Sequence, residues 1–306
     1  MINSSKKPDF FIVGAPKCGT TSLYYYLRQH PQIFMPDYKE PHFFGKDLCK
    51  RSDEYIYDEA QYLALFKDAE PDQIIGEAST FYLYSKSAPE EIKVYNPKAK
   101  IIIILRNPID FLQSLHSQLL FSGNEDVIDF EEALKLEEDR LNGKNLPENI
   151  DMLDKVYYRE HVLRIPGQVQ NYIDIFGKEN VKILILEDLM NNPSECYDKI
   201  LRMLNISVDI TMTHTRHNTN KKVRSYWMRN IIKRYHNKLG NVRKVFYKKP
   251  LGIIKLFIGY NTIHLKRKQM PIKLRIKLID ELKSNIEQLE MIINRDLNHW
   301  KSFDSL

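Results

Sequence analysis

Phe10-Phe-Ile-Val-Gly-Ala-Pro-Lys-Cys-Gly-Thr-Thr-Ser-Leu23 decides the architecture of this chain. A short apolar run ends in Gly14, as a buried parallel strand does. A loop follows over Ala15–Gly19, and a helix then runs from Thr20 or Thr21 to His30, where Pro31 prevents its continuation. Strand, glycine loop and helix in this order make a phosphate site. The start of the helix offers free N–H groups and the positive end of the dipole. Gly19 lets the backbone approach a ligand, Lys17 adds a full charge, and Thr20 and Thr21 add hydroxyls.

Three further apolar runs read as strands: Ile74–Ala78, Ile101–Leu105 and Lys182–Leu186. Helices are expected from Pro108 to about Phe121, over Ile165–Phe176 with Gly177 closing it, and over Ser194–Leu204. Gly123–Asp151 is polar and acidic and reads as a loop with a short helix at Phe130–Leu141. Alternating strands and helices predict an α/β fold of the P-loop type, three layers around a central parallel sheet. Past residue 210 the strand signal stops. There Ile279, Leu282, Ile286, Leu289, Ile293, Leu297 and Trp300 step by three or four, the stripe of an amphipathic helix. The expectation is a single domain over 1–306, with a nucleotide-binding α/β core at 1–210 and a basic, mainly helical part at 211–306.

Composition narrows the function. In 306 residues, 43% are hydrophobic, enough for a full core, and no apolar run reaches the length of a membrane span. The first residues carry no secretory pattern. Three cysteines without a CxxC argue against a disulfide framework and structural zinc, so a reducing cytoplasm is the expected setting. Net charge is +6, but residues 221–277 hold 18 Lys and Arg and no acid, against 28 basic and 40 acidic residues elsewhere. That stretch should face something anionic: an acidic glycan, a nucleotide, or a membrane surface at its inner face. Its aromatics do not alternate regularly with its charges, and no nucleic-acid recognition motif occurs, so nucleic acid is not expected.

The phosphate loop is not a Walker A motif, because Lys17 precedes Gly19 instead of following it, and the third strand ends in Arg106 where a magnesium-binding Asp would stand. Pro16–Leu23 instead resembles the 5′-phosphosulfate loop of sulfotransferases that use 3′-phosphoadenosine 5′-phosphosulfate (PAPS). Leu105-Arg-Asn-Pro108 and Ser114, with seven residues between Arg106 and Ser114, are similar to that family's 3′-phosphate motif. The likeness continues at Gly167-Gln-Val, Ile183–Leu189, His217–Ser225 and Arg295–Trp300. It implies PAPS as co-substrate and adenosine 3′,5′-bisphosphate as product, with no metal. Lys17, Cys18, Gly19, Thr20, Thr21 and Ser22 would hold the 5′ end, Arg106 and Ser114 the 3′ end, and Lys221, Lys222 and Arg224 would form a basic lid.

Lys39-Glu-Pro-His-Phe-Phe44 resembles the segment that supplies the catalytic Glu of heparan-sulfate-type enzymes. By that match Glu40 is the general base, His42 orients it or the acceptor, and Lys17 steadies the leaving phosphate. Apolar Pro41, Phe43 and Phe44 predict a raised pKa for Glu40. His116 is the competing base. Gly76-Glu-Ala-Ser-Thr80 aligns where heparan enzymes carry Lys and then Thr-Pro; here Ala78 replaces the Lys and Thr80 the Pro. The expected activity is sulfuryl transfer to a hydroxyl or amine of a carbohydrate or glycolipid. The alternatives are a P-loop nucleotide kinase and a nucleotide-binding protein without catalysis.

Overall fold

The computed structural model describes residues 7–48, 55–207, 221–230, 259–264 and 269–302. Five strands form one sheet: β1 (Phe10–Gly14), β2 (Ile33–Phe34), β3 (Ile74–Ala78), β4 (Lys100–Leu105) and β5 (Val181–Ile185). Their order is β2-β3-β1-β4-β5, and every pairing is parallel. Phe10–Val13 and Ile101–Ile104 have no exposed surface, as befits central strands covered on both faces. The fourth expected strand lies one residue earlier than its apolar run, because Leu186 opens a helix. The two-residue edge strand β2 was not anticipated.

The helices are α1 (Thr20–Arg28), α2 (Glu59–Ala64), α3 (Ala88–Tyr95), α4 (Pro108–Ser122), α5 (Phe130–Lys135), α6 (Glu137–Leu141), α7 (Tyr158–Phe176), α8 (Leu186–Asn191) and α9 (Pro193–Met203). From β1 the chain travels past β3 to β2; from β3 it returns across β1 to β4 and goes on to β5. Right-handed connections running in opposite directions need opposite faces of the sheet. So α1 and α9 cover one face, and α3, α4 and α7 the other. The reversal also opens a crevice at the C-terminal ends of β1 and β4, where ligands of open parallel sheets bind.

Several expectations need correction. The helix expected from Ile165 begins at Tyr158 and contains Pro166. Pro166 forfeits one backbone bond, but a buried stripe of Tyr158, Val162, Ile165, Val169, Tyr172 and Phe176 carries the helix through it. The acidic segment holds two short helices, α5 and α6. The late apolar stripe is not one helix. α10 (Ile272–Ile293) stops at Asn294, in the left-handed region at φ 51°, and α11 (Asn298–Lys301) seats Trp300 back in the core, 1% exposed. α10 packs on α7 and α4, with Arg275 paired to Asp110 at 3.0 Å.

The part after 210 also contains strands. β6 (Lys221–Val223) pairs antiparallel with β7 (Thr262–His264). Most of the basic stretch 221–277 lies outside the described residues. Among the described residues no helix is long and apolar enough to cross a membrane.

Candidate active site

The phosphate loop leaves β1 at the crevice. Gly19 is the N-cap of α1 at φ +88°, a backbone conformation that calls for glycine, with Leu186 Cδ1 close by. No side chain caps α1, and its first turn holds no acid, which leaves that end suited to an anion. Thr20 is buried, while Thr21 and Ser22 are half-buried on the same turn. Burial pushes the Cys18 thiol up to about 12, against the pull of Arg106 and Lys17, so it stays neutral; its Sγ–H points to the Pro16 carbonyl at 3.4 Å. Cys18 therefore offers backbone, not sulfur, to a ligand.

Arg106, at the end of β4, donates from Nη1 to the Lys17 carbonyl at 3.4 Å. This contact joins the loop after β1 to the loop after β4. Asn107 caps α4 by accepting from the Ile109 N–H at 3.0 Å, with Pro108 as the first residue of the helix. Ser114 is buried two turns along. One turn further, Gln118 Oε1 accepts from Lys17 Nζ at 3.1 Å. Gln118 was missed in the sequence, although its spacing of four from Ser114 places both on one face of α4.

The basic residues of the late segment come to the same helix. β6 lies beside α4, and Arg229 donates to the Leu120 carbonyl. Lys222 and Arg224 are exposed, and the Arg224 guanidinium lies 5.1 Å from the centre of the Tyr260 ring. Lys221 contributes its backbone to the strand pair.

Glu40 and His42 lie on the loop between β2 and α2. Both are in the left-handed region, at φ 63° and 48°. Glu40 Oε1 accepts from Lys39 Nζ at 2.5 Å, and Oε2 is 3.5 Å from His42 Nε2. The side chain of Glu40 is 38% exposed, whereas Phe44 packs inward at 4%. The expected raised pKa is thus overturned. Burial pushes Glu40 up, but Lys39 and His42 outweigh it and hold the carboxyl well below the usual range. His42 is 2% exposed, with its ring 4.8 Å from Tyr55, whose hydroxyl is 3.2 Å from Lys155 Nζ. The competing base is directed elsewhere: His116 Nε2 bonds the Val127 carbonyl at 2.9 Å, and its ring packs near Phe130 and Tyr158.

Behind this loop stands Glu77, with no exposed surface. Its Oε2 accepts from Tyr82 Oη at 2.8 Å and from Tyr62 Oη at 3.2 Å. Burial pushes it up to about 7 in spite of Ser79 and the two tyrosines. Sequence reading gave Glu77 no part in the chemistry, because a charged residue inside an apolar strand is its only local signal.

Comparison with known proteins bears on this arrangement. Residues 7–250 match the family described as Sulfotransferase domain. Mouse carbohydrate sulfotransferase 15 is 30% identical over 249 residues, 65% of this chain and 44% of that protein. Human heparan sulfate glucosamine 3-O-sulfotransferase 6 is 34% identical over 113 residues, 37% of this chain and 31% of that protein. The chain thus spans less than half the length of these curated relatives. A crystal structure of a sulfotransferase from Alicyclobacillus acidocaldarius superposes with a TM-score of 0.73 at 29% identity, covering 97% of this chain and all of that one.

Proposed function

The chain belongs to the sulfotransferase domain family, and from that premise we propose that it moves the sulfuryl group of PAPS in line onto a hydroxyl or amine of a carbohydrate or glycolipid. The observation that carries this reading is the contact of Arg106 with the Lys17 carbonyl at 3.4 Å. It puts a guanidinium and an uncapped helix start at one sheet crevice, a pair of anion sites for the two ends of one nucleotide. PAPS supplies an activated sulfuryl group on a phosphate leaving group, and the reading asks for no metal. Gly19, Thr20, Thr21 and Ser22 would receive the 5′ end. Arg106 and Ser114 would receive the 3′-phosphate, with Lys222 and Arg224 above them.

Lys17 would turn from Gln118 to the leaving phosphate, where a cation offsets developing charge. Glu40 would take the proton of the acceptor. Lys39 keeps it ionised, and the Glu40 N–H donates to the Ala78 carbonyl at 3.0 Å. Lys39 would supply the cation near the acceptor where position 78 is Ala. The names of the carbohydrate and heparan sulfate relatives favour a sugar acceptor.

The test is transfer of radiolabelled sulfate from PAPS to an extract of glycans and lipids. Glu40→Gln should lower kcat by about 10²–10⁴ and leave affinity for adenosine 3′,5′-bisphosphate intact. Arg106→Ala should lose about 2–3 kcal/mol of affinity for the bisphosphate and far less for adenosine 5′-phosphate. Equal binding of the two nucleotides by the wild-type protein would sink the reading.

A further inference from the structure

The loop that carries Glu40 and His42 departs from ordinary backbone at both residues, with φ of 63° and 48°. Neither is a glycine, so the surroundings must hold this conformation. Three N–H groups do so, all bonded to one short stretch. Glu40 N donates to the Ala78 carbonyl at 3.0 Å, His42 N to Ser79 Oγ at 3.1 Å, and Phe44 N to Tyr82 Oη at 3.2 Å. Two of the three acceptors are hydroxyls. A hydroxyl accepts in a fixed direction only when its own proton is committed elsewhere.

Tyr82 commits its proton to Glu77 Oε2 at 2.8 Å, Ser79 stands near enough to the same carboxyl to pull its pKa down, and Oε1 has no hydrogen-bond partner among the described residues. Tyr62, from α2, adds a third donor at 3.2 Å. The other groups that face Glu77 are Lys39, on the loop itself, and Tyr172 of α7, which donates to the Tyr82 carbonyl at 3.1 Å. No salt bridge to Glu77 occurs among the described residues. A carboxyl wholly out of water without a cation is costly, and an apolar residue would pack there at less cost. What a carboxylate does, and a leucine cannot, is accept several hydroxyl protons at once. The lone pairs of Tyr82 are then left for the loop.

We propose that Glu77 is a positioning residue for sulfuryl transfer, which holds the Glu40–His42 loop in its productive shape through the hydroxyls of Tyr82 and Ser79. The proposal rests on the reading of Glu40 as the base. Oε1, which has no hydrogen-bond partner among the described residues, can take the proton of Glu77, and the event removes the charge that strengthens the bond from Tyr82, so the tether through Tyr82 loosens. The upward push on Glu77, to about 7, places that event near neutrality. Turnover should therefore rise as pH increases through that region.

The test combines kinetics with hydrogen exchange of the peptide spanning 38–46, in the full chain, for Tyr82→Phe, Ser79→Ala and Glu77→Gln. Tyr82→Phe keeps the ring and removes one tether; Ser79→Ala removes another and changes a single oxygen, so the claim stays testable if Glu77→Gln does not fold. Expected are exchange over 40–44 at least about tenfold faster, with exchange over β1 and β4 unchanged. Turnover should fall about 10- to 100-fold, the usual result of displacing a reacting group. Affinity for adenosine 3′,5′-bisphosphate should stay within about twofold, and in Glu77→Gln the rise of turnover through neutral pH should flatten. Unchanged exchange in Tyr82→Phe overturns the proposal. So does a loss of bisphosphate affinity and of β1 and β4 protection in step with kcat, which marks general destabilisation. If the wild-type protein transfers no sulfate, the sulfuryl-transfer reading fails alone, and the exchange result still decides whether Glu77 holds the loop.

Discussion

Glu125, between α4 and α5, and Glu77, at the end of β3, each have no exposed surface. Around Glu125 the donors are abundant and one of them is charged. Arg140 bonds it with both terminal nitrogens, at 2.7 and 2.8 Å, Tyr158 donates at 2.7 Å, and the N–H groups of Asp126 and Val127 donate at 2.9 Å. Burial pushes Glu125 up, but Arg140 and the other donors outweigh it and the carboxyl titrates below its ordinary value. Glu77 has two tyrosine hydroxyls on Oε2, no partner on Oε1 among the described residues and only the more distant pull of Lys39, and burial wins. The difference separates two uses of a buried acid. Glu125 with Arg140 ties the acidic segment together and, through Tyr158, to α7, whereas Glu77 sits at a stability cost against the loop that presents Glu40.

The largest expected effect comes from breaking the tie at Glu125. Arg140→Ala leaves Glu125 buried without its cation and should cost about 3–5 kcal/mol in denaturant unfolding. The double change Glu125→Leu with Arg140→Met should recover most of that loss. A single-variant cost below about 1 kcal/mol would remove the distinction between the two sites.

Next in size is the pH slope of stability, which has opposite sign at the two carboxyls. The folded pKa of Glu77 is raised from 4.5 to about 7, so its contribution is full below 4.5 and is lost as pH rises through 7. The span corresponds to about 3 kcal/mol at most. The folded pKa of Glu125 is lowered, so its contribution is present above 4.5 and is lost as pH falls. Glu77→Gln should therefore abolish the decline in stability between pH 5 and 8 while leaving acid unfolding in place. A decline that survives the substitution assigns it to another group.

The smallest effect sharpens the comparison from the loop side. Lys39→Met removes the cation against Glu40, so Glu40 should titrate at higher pH, followed by carboxyl ¹³C NMR. Glu77, on which Lys39 also pulls, should move the same way by less. A Glu40 titration identical to wild type would show that His42, not Lys39, holds the carboxyl down.

Much of the fold was legible because parallel strands covered on both faces are continuous apolar runs. Phe10–Gly14 and Ile74–Ala78 are strands at the residues the pattern indicated, and β4 begins only one residue before its run. The misses have physical causes. Ile33–Phe34 is too short to show a period. The turn at Asn294 interrupts an apolar stripe that a straight helix would have continued, and no glycine or proline marks it. β6 and β7 meet across about forty residues of chain, a pairing that no local pattern announces.

The site divides in the same manner. Lys17, Gly19 and the two threonines were readable because loop, charge and helix start are contiguous, and contiguous residues bring their own geometry. Arg106 reaches Lys17 only because the sheet reverses direction at β1, a property of strand order. The titration of Glu40 was misjudged from its apolar neighbours: Pro41 and Phe44 are buried, but the carboxyl turns outward onto Lys39. Composition and local spacing thus determined the α/β class, the glycine loop that opens α1 and the residue types available for chemistry, since each depends on neighbours along the chain. Which charges meet, and which acid is left in the core with two tyrosine hydroxyls for partners, was decided by tertiary structure. Burial and Coulomb energy depend on distance through space, and Glu77 lies at once against Tyr62 from α2, Tyr82 beyond its own strand and the loop at Lys39.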